Sequence, residues 1–380
     1  MQAANRLNNI QEYYFSHKMR EIQSMLDSGK PVINLGIGNP DLSPPTSVIE
    51  ALKNASSDTS KHGYQPYKGL PEFREAITNF YAEQYQVNLD SENEILPLAG
   101  AKEGIMHISI AYLNAGDAVL IPNPGYASYA TVTKMLGATP LFYDLVAKNN
   151  WQPNLDELEN QDLSKVKIMW VNYPNMPTGS SGSVTLFEKL LTFAKKHDIL
   201  LVNDNPYSFI LNENPMSILS VAGAKEVALE LNSLSKTFNM AGWRIGMLSG
   251  AKTHIDNVLK VKSNMDSGMF YGFQKAAITA LQLGNGWFKN LNNTYTKRRR
   301  LVWKIADKLG LIYETNVSGF FVWAKLPTGE NSIEVSDEIL QKHHIFITPG
   351  SIFGTNGEAY LRFSLCVNEE KLLNILERIE

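Results

Sequence analysis

The sequence predicts an α/β protein: a mostly parallel mixed sheet flanked by helices, joined to a smaller α+β unit. Three observations carry this. Residues 167 to 171 (KIMWV) and 199 to 203 (ILLVN) are short apolar runs joined by LFEKLLTFAKKHDI, whose apolar residues recur at helical spacing. Two such runs with a helical crossover form parallel neighbours. The stretch ILPLAGAKEGIMHISIAYL, 95 to 113, passes from a strand through glycine into an amphipathic helix, and a further strand follows at 118 to 121. After a helix-rich section, SGFFVWAKLP, a helix around 333 to 343, IFITPGSIFG, YLRFSLC and a final helix make the small α+β unit, with which the N-terminal segment is expected to pack.

Composition narrows the function classes. A chain of 380 residues, 44% hydrophobic and 19% charged, is long enough to divide a large core between two domains. The expected division is a large domain over 40–288 and a small one made of 1–39 plus 289–380, with a boundary at GNGWFKNLNN. A net charge of -3 and a pI near 6.2 supply no basic field, which argues against nucleic acid or an anionic membrane surface and for small substrates. The single cysteine, Cys366, allows no intrachain disulfide and no thiolate metal cluster, so no metal is expected. No apolar run reaches the roughly eighteen residues of a membrane span, and the polar start MQAANRLNNIQEYY has no signal-peptide core. A cytoplasmic protein is expected.

From the N-terminus, Ile10, Tyr13, Tyr14, Met19, Ile22, Met25 and Leu26 make a helical stripe over 8–28 that ends at Gly29. VINLGIG reads as a short buried strand entering the turn NPDLSPP, where two prolines forbid continuation and Gly38 lies on a tight loop. Pro71 starts a helix after the loop that carries Tyr64 and Gly69. At 100–102 the backbone amides of Gly100, Ala101 and Lys102 open a helix, an arrangement suited to phosphate. Tyr126 follows a strand on a Pro-Gly turn. The strands at 167–171 and 199–203 deliver polar loops at their carboxyl ends, where open α/β sheets build sites: NYPNMPTG with Asn175, and NDNPYS with Asp204 and Tyr207. A carboxylate at a buried strand end is costly without a cationic partner, although Asp204 by itself also reads as a helix cap. The TKRRR run of a later helix reads as a solvated face. In YLRFSLC the alternation turns Arg362 away from Leu361 and Phe363, offering a planar fork for a carboxylate.

The stretch LNSLSKTFNMAGWRIGMLSG, 231 to 250, places one lysine, Lys236, among Ser233 and Ser235, with Arg244 eight residues on. An aldehyde cofactor held covalently needs an amine, and its phosphate needs hydroxyl and guanidinium donors. By itself SxSK also reads as a surface turn. The full string SLSKTFNMAGWRIG, with the strand-end Asp204 about thirty residues before it, closely resembles the signature of class I/II pyridoxal-phosphate (PLP) aminotransferases, the aspartate aminotransferase-like group of fold type I. The resemblance runs from about residue 30 to the C-terminus.

It implies PLP on Lys236, a pyridine nitrogen paired with Asp204, and a phenolic oxygen contacted by Tyr207 and the NYPNMPTG loop, for which Asn175 is the candidate. It further implies a ring stacked on Tyr126, and a phosphate held by Ser233, Ser235, Arg244 and the amides of Gly100, Ala101 and Lys102. Substrate carboxylate would meet Gly38 and Arg362. Tyr64, in an element similar to the family's YxxxxG, would reach the partner's phosphate across a homodimer, with MDSGMF at the same interface. One departure stands out: the residue before PTG, usually asparagine in the family, is Met176. The implied activity is ping-pong amino transfer between an L-amino acid and a 2-oxo acid. A PLP lyase or decarboxylase on the same fold is the alternative, because the reaction depends on which α-carbon bond stands perpendicular to the ring.

Overall fold

The computed structural model describes residues 1–8, 10, 12 and 14–379. The N-terminal helix α1 (Tyr14–Asp27) starts later than its apolar stripe predicts, after a 3-10 turn at Asn5–Leu7, and Tyr13 of that stripe lies outside the described residues. VINLGIG contributes only a two-residue strand, β1 (Ile33–Asn34), because Asn34 Oδ1 turns back to accept from the amides of Gly36 and Ile37. Helices α2 (Thr46–Ser56) and α3 (Pro71–Tyr85) follow, the second with its proline in the first turn.

The large sheet begins with β2 (Ile95–Leu98), then α4 (Ala101–Tyr112), β3 (Ala118–Asn123), α5 (Ala127–Met135) and β4 (Thr139–Asp144). It continues through α6 (Leu155–Glu159), β5 (Val166–Val171), α7 (Val184–His197), β6 (Leu200–Asp204), β7 (Ala228–Ser233), α8 (Leu234–Thr237) and β8 (Gly246–Gly250). The seven strands lie in the order β2-β8-β7-β6-β5-β3-β4. The predicted β5-α7-β6 unit is present and parallel, and β8 alone runs against its neighbours. One face of the sheet packs Leu98, Val119, Trp170, Val202 and Leu231 against Ile105 and Ile108 of α4 and Tyr129 of α5. The other face packs Leu120, Met169 and Leu201 against α3 and α7. With both faces covered, the strands read as continuous apolar runs.

After α9 (Lys252–Lys262) and α10 (Tyr271–Leu281), α11 (Asn285–Lys308) runs unbroken through the expected boundary at GNGWFKNLNN. Gly284 caps it, and Gly286 falls in its first turn, where a glycine costs a helix little. The TKRRR run is only partly solvated. Arg298 is buried and holds Asp41 through both terminal nitrogens at 2.6 and 3.0 Å, while Lys297 and Arg300 face water.

The small sheet joins β9 (Ile312–Tyr313), β10 (Phe321–Lys325), β12 (Thr348–Pro349) and β13 (Tyr360–Ser364), with α12 (Ser332–His343) and α13 (Glu369–Arg378) beside it. Between α12 and β12, β11 (Ile345–Phe346) pairs in parallel with β1 and so ties the N-terminal segment to this unit. No helix among the described residues is long and apolar enough to cross a membrane.

Candidate active site

The parallel strands β5, β6 and β7 end on one edge of the sheet, and a cavity of about 480 Å³ opens there against β10 and β13. Gly38, Ala101, Lys102, Tyr126, Asp204, Tyr207, Ser233, Ser235, Lys236, Arg244 and Arg362, all singled out in the sequence, line it.

Strand β7 ends in Ser233, whose hydroxyl accepts from the Ser235 amide and starts the single turn α8. That turn throws Lys236 into the cavity, where Nζ donates to the Gly38 carbonyl at 2.8 Å. Burial, aided by the positive charge of Arg362 and Arg244, lowers the lysine to a pKa of about 8. Arg244 sits in left-handed backbone at φ 55 and donates to the Ala241 carbonyl. Its guanidinium lies against the start of α4. A Cβ built on Gly100, itself at φ +92, would stand 2.1 Å from Arg244 Nη2, so the backbone conformation favours glycine here and any side chain would push the Arg244 guanidinium aside. Arg244 and the open end of α4 thus form one anion cradle.

Asp204 ends β6, 7% exposed. Tyr129 donates to its Oδ2 at 2.8 Å, while Oδ1 is buried without a hydrogen-bond partner. Burial raises the carboxyl to about 6, against the opposing effect of the tyrosine bond. Tyr207 is buried, with its hydroxyl pushed well up by burial and its ring edge-on to Phe320 and Phe321.

On the far side, Arg362 of β13 is 5% exposed. It turns away from Leu361 and Phe363, as the alternation predicts. Nη2 donates to the Gly36 carbonyl at 2.8 Å and Nη1 to Met176 Sδ at 3.2 Å. Its guanidinium carbon lies 4.0 Å from the Phe321 ring centre and 4.6 Å from that of Phe353.

Two predicted residues stand elsewhere. Asn175 is buried behind the wall, its Oδ1 held by the amide and hydroxyl of Thr178. The asparagine that does line the cavity is Asn172, whose Nδ2 donates to the Asp204 carbonyl and whose Oδ1 accepts from the Met176 amide. Tyr64 is 93% exposed and outside the cavity. Sequence reasoning also passed over Tyr129, Phe15, Phe321 and Phe353. Asn172 carried a readable signal, a polar residue directly after a buried strand, and Tyr129 lies one helical turn from Tyr126. Phe15 carried none.

The cavity suits a phosphorylated pyridine aldehyde. It offers a buried carboxylate oxygen awaiting a cationic N–H, an anion cradle that a single Cβ would fill, and an amine between them. The sequence profile described as aminotransferase class I and II matches residues 30–379. The chain belongs to the class I and II aminotransferases. It is 40% identical to an LL-diaminopimelate aminotransferase of Aquifex aeolicus, over 99% of this chain and 98% of that one. A second, from Halothermothrix orenii, is 38% identical over 100% and 98%. Among solved structures, BacF from Bacillus subtilis without ligand superposes with a TM-score of 0.96 at 36% identity, covering 100% of this chain and 98% of BacF. This class I and II aminotransferase is a PLP-dependent enzyme that transfers amino groups between amino acids and 2-oxo acids, and the lyase or decarboxylase alternative does not fit its relatives.

Proposed function

We propose that Lys236, Asp204, Arg244 and Arg362 divide the work of amino transfer in this cavity. The observation that carries the proposal is that four charged groups, spread over residues 204 to 362, face one cavity. PLP, when bound, supplies an aldehyde that accepts an amino group and a protonated ring that receives the electron pair freed at the donor α-carbon. Lys236 is the amine that anchors it and the base that moves the α-proton. Burial lowers its pKa to about 8 and so favours the neutral amine that a general base needs. Asp204 Oδ1 would pair with the ring nitrogen, with Tyr129 holding the carboxylate in place and Tyr207 available to the phenolic oxygen. Tyr126 would pack on the ring, and Ser233, Ser235, Arg244 and the start of α4 would hold the phosphate. Arg362, its guanidinium packed against the Phe321 and Phe353 rings, takes the substrate carboxylate beside Gly38.

We further propose a homodimer in which Tyr64, on an exposed loop, and the 264–270 loop complete the neighbour's site. These two segments already touch: a Cβ on Gly268 would stand 2.3 Å from the Gln65 carbonyl oxygen. The division into 40–288 and 1–39 plus 289–380 is proposed as the unit of domain motion, and the cytoplasm as the compartment. The overall reading is tested by adding amino acids to the PLP-loaded protein and then a 2-oxo acid. The expected result is a reversible change in cofactor absorbance, and an irreversible change or release of carbon dioxide contradicts it.

A further inference from the structure

The end of the cavity where Arg362 sits is apolar to an extent the reaction does not require. Phe321, Phe353 and Phe15 stand 4.0, 4.6 and 5.8 Å, ring centre to guanidinium carbon, from Arg362, and Ile37 and Met176 fill the same wall. The lining carries four cations, Lys102, Lys236, Arg244 and Arg362, and one carboxylate, Asp204, whose Oδ2 is already taken by Tyr129. Lys102 lies in the first turn of α4, at the Arg244 end. A substrate carboxylate on Arg362 brings the α-carbon, and hence the side chain, in among the aromatic rings. A distal ammonium there finds no free carboxylate among the described lining residues and sits close to a guanidinium. A distal carboxylate competes for Arg362 itself. Burying either charge unpaired is unfavourable.

The two segments proposed to complete the neighbour's site bring no free carboxylate. Residues 62–69 (HGYQPYKG) hold no carboxylate. Residues 263–270 (SNMDSGMF) hold one, Asp266, which is bound by Lys262 Nζ at 2.5 Å and by the Gly268 amide at 3.0 Å. What these segments add is Tyr64, Tyr67 and Met265, all exposed.

We infer that the amino donor is an amino acid with a large uncharged apolar side chain, an aromatic one above all, and that Phe15 of α1 helps select it. The inference rests on Arg362 binding the α-carboxylate. It separates this chain from the relatives, whose named donor carries a charged group at its far end.

The test is the first half-reaction of the PLP-loaded enzyme, followed in cofactor absorbance with L-phenylalanine, L-leucine, L-aspartate, L-glutamate and LL-diaminopimelate. L-Phenylalanine is expected to react at least about 50-fold faster, per unit concentration, than the three charged donors, the range that apolar-pocket discrimination spans. In Phe15→Ala the preference for L-phenylalanine over L-alanine falls about tenfold, with Phe15→Leu intermediate. LL-Diaminopimelate or an acidic amino acid matching L-phenylalanine overturns the inference while leaving amino transfer intact, as does an unchanged preference in both Phe15 variants. Reaction with none of the five sinks the proposed function itself.

Discussion

Tyr129 Oη donates to Asp204 Oδ2 at 2.8 Å and leaves Oδ1 buried and unpartnered at the sheet edge. Without a cation beside it the carboxyl is held in the fold at a strained ionisation state, its pKa raised to about 6 by burial. A folded pKa above the unfolded value of 3.8 means that the native state binds the proton more tightly, so stability falls as pH rises from about 4 to 6. A two-unit shift corresponds to about 3 kcal/mol. In the cofactor-free protein, Asp204→Asn should therefore gain stability over wild type through that interval and hold the gain above it. Thermal unfolding of both proteins between pH 4 and 7 checks this. A difference that does not change with pH would mean that Asp204 titrates alike in the folded and unfolded chains, so that burial does not raise its pKa.

Gly100→Ala should separate the anion cradle from the rest of the site. The positive-φ extended backbone at φ 92 and ψ 152 costs an alanine about 1–3 kcal/mol, and the new methyl displaces the Arg244 guanidinium. Affinity for PLP, measured by absorbance titration of the cofactor-free protein, should weaken by at least about tenfold, since about 1.4 kcal/mol is one decade. Unchanged affinity would place the phosphate elsewhere.

Met176 gives its sulfur to Arg362 and has no hydrogen to donate into the cavity. Asn175 lies behind the wall, and Asn172 spends one of its two amide protons on the Asp204 carbonyl. Tyr207 is then the main donor to the phenolic oxygen. Met176→Asn should add a second, draw charge off that oxygen and lower the pH midpoint of the bound cofactor's absorbance by about one unit. A midpoint that stays put would show that another group, a water or the partner's, already donates there.

The sheet, its crossover helix and most cavity-lining polar residues were legible because each rests on local rules: apolar runs, strand ends, glycine before a helix. Asp204 and Lys236 follow from the strand that precedes each. Asn172 obeys the same rule and was passed over in favour of Asn175, where the turn after β5 decides which amide faces inward. Arg298 was misread because its partner, Asp41, lies 257 residues away. Phe15 was illegible for the same physical reason: its place depends on β1 pairing with β11, which no local pattern encodes.

Subunit mixing tests the shared site. Tyr64→Phe and Lys236→Ala proteins, each impaired, should regain activity when mixed, because half the dimers become hybrids with one intact site of two. The ceiling is roughly a quarter of wild-type activity. No recovery, or a fully active monomer at assay concentration, would remove Tyr64 from the neighbour's site.

The account stands most directly on Lys236. Borohydride treatment of the PLP-loaded protein should fix the cofactor to the tryptic peptide carrying Lys236, read as a mass increase. In Lys236→Ala no peptide should gain that mass, and turnover should fall by at least about 10³-fold. Cofactor fixed to another lysine in the variant, with turnover within tenfold of wild type, would contradict it.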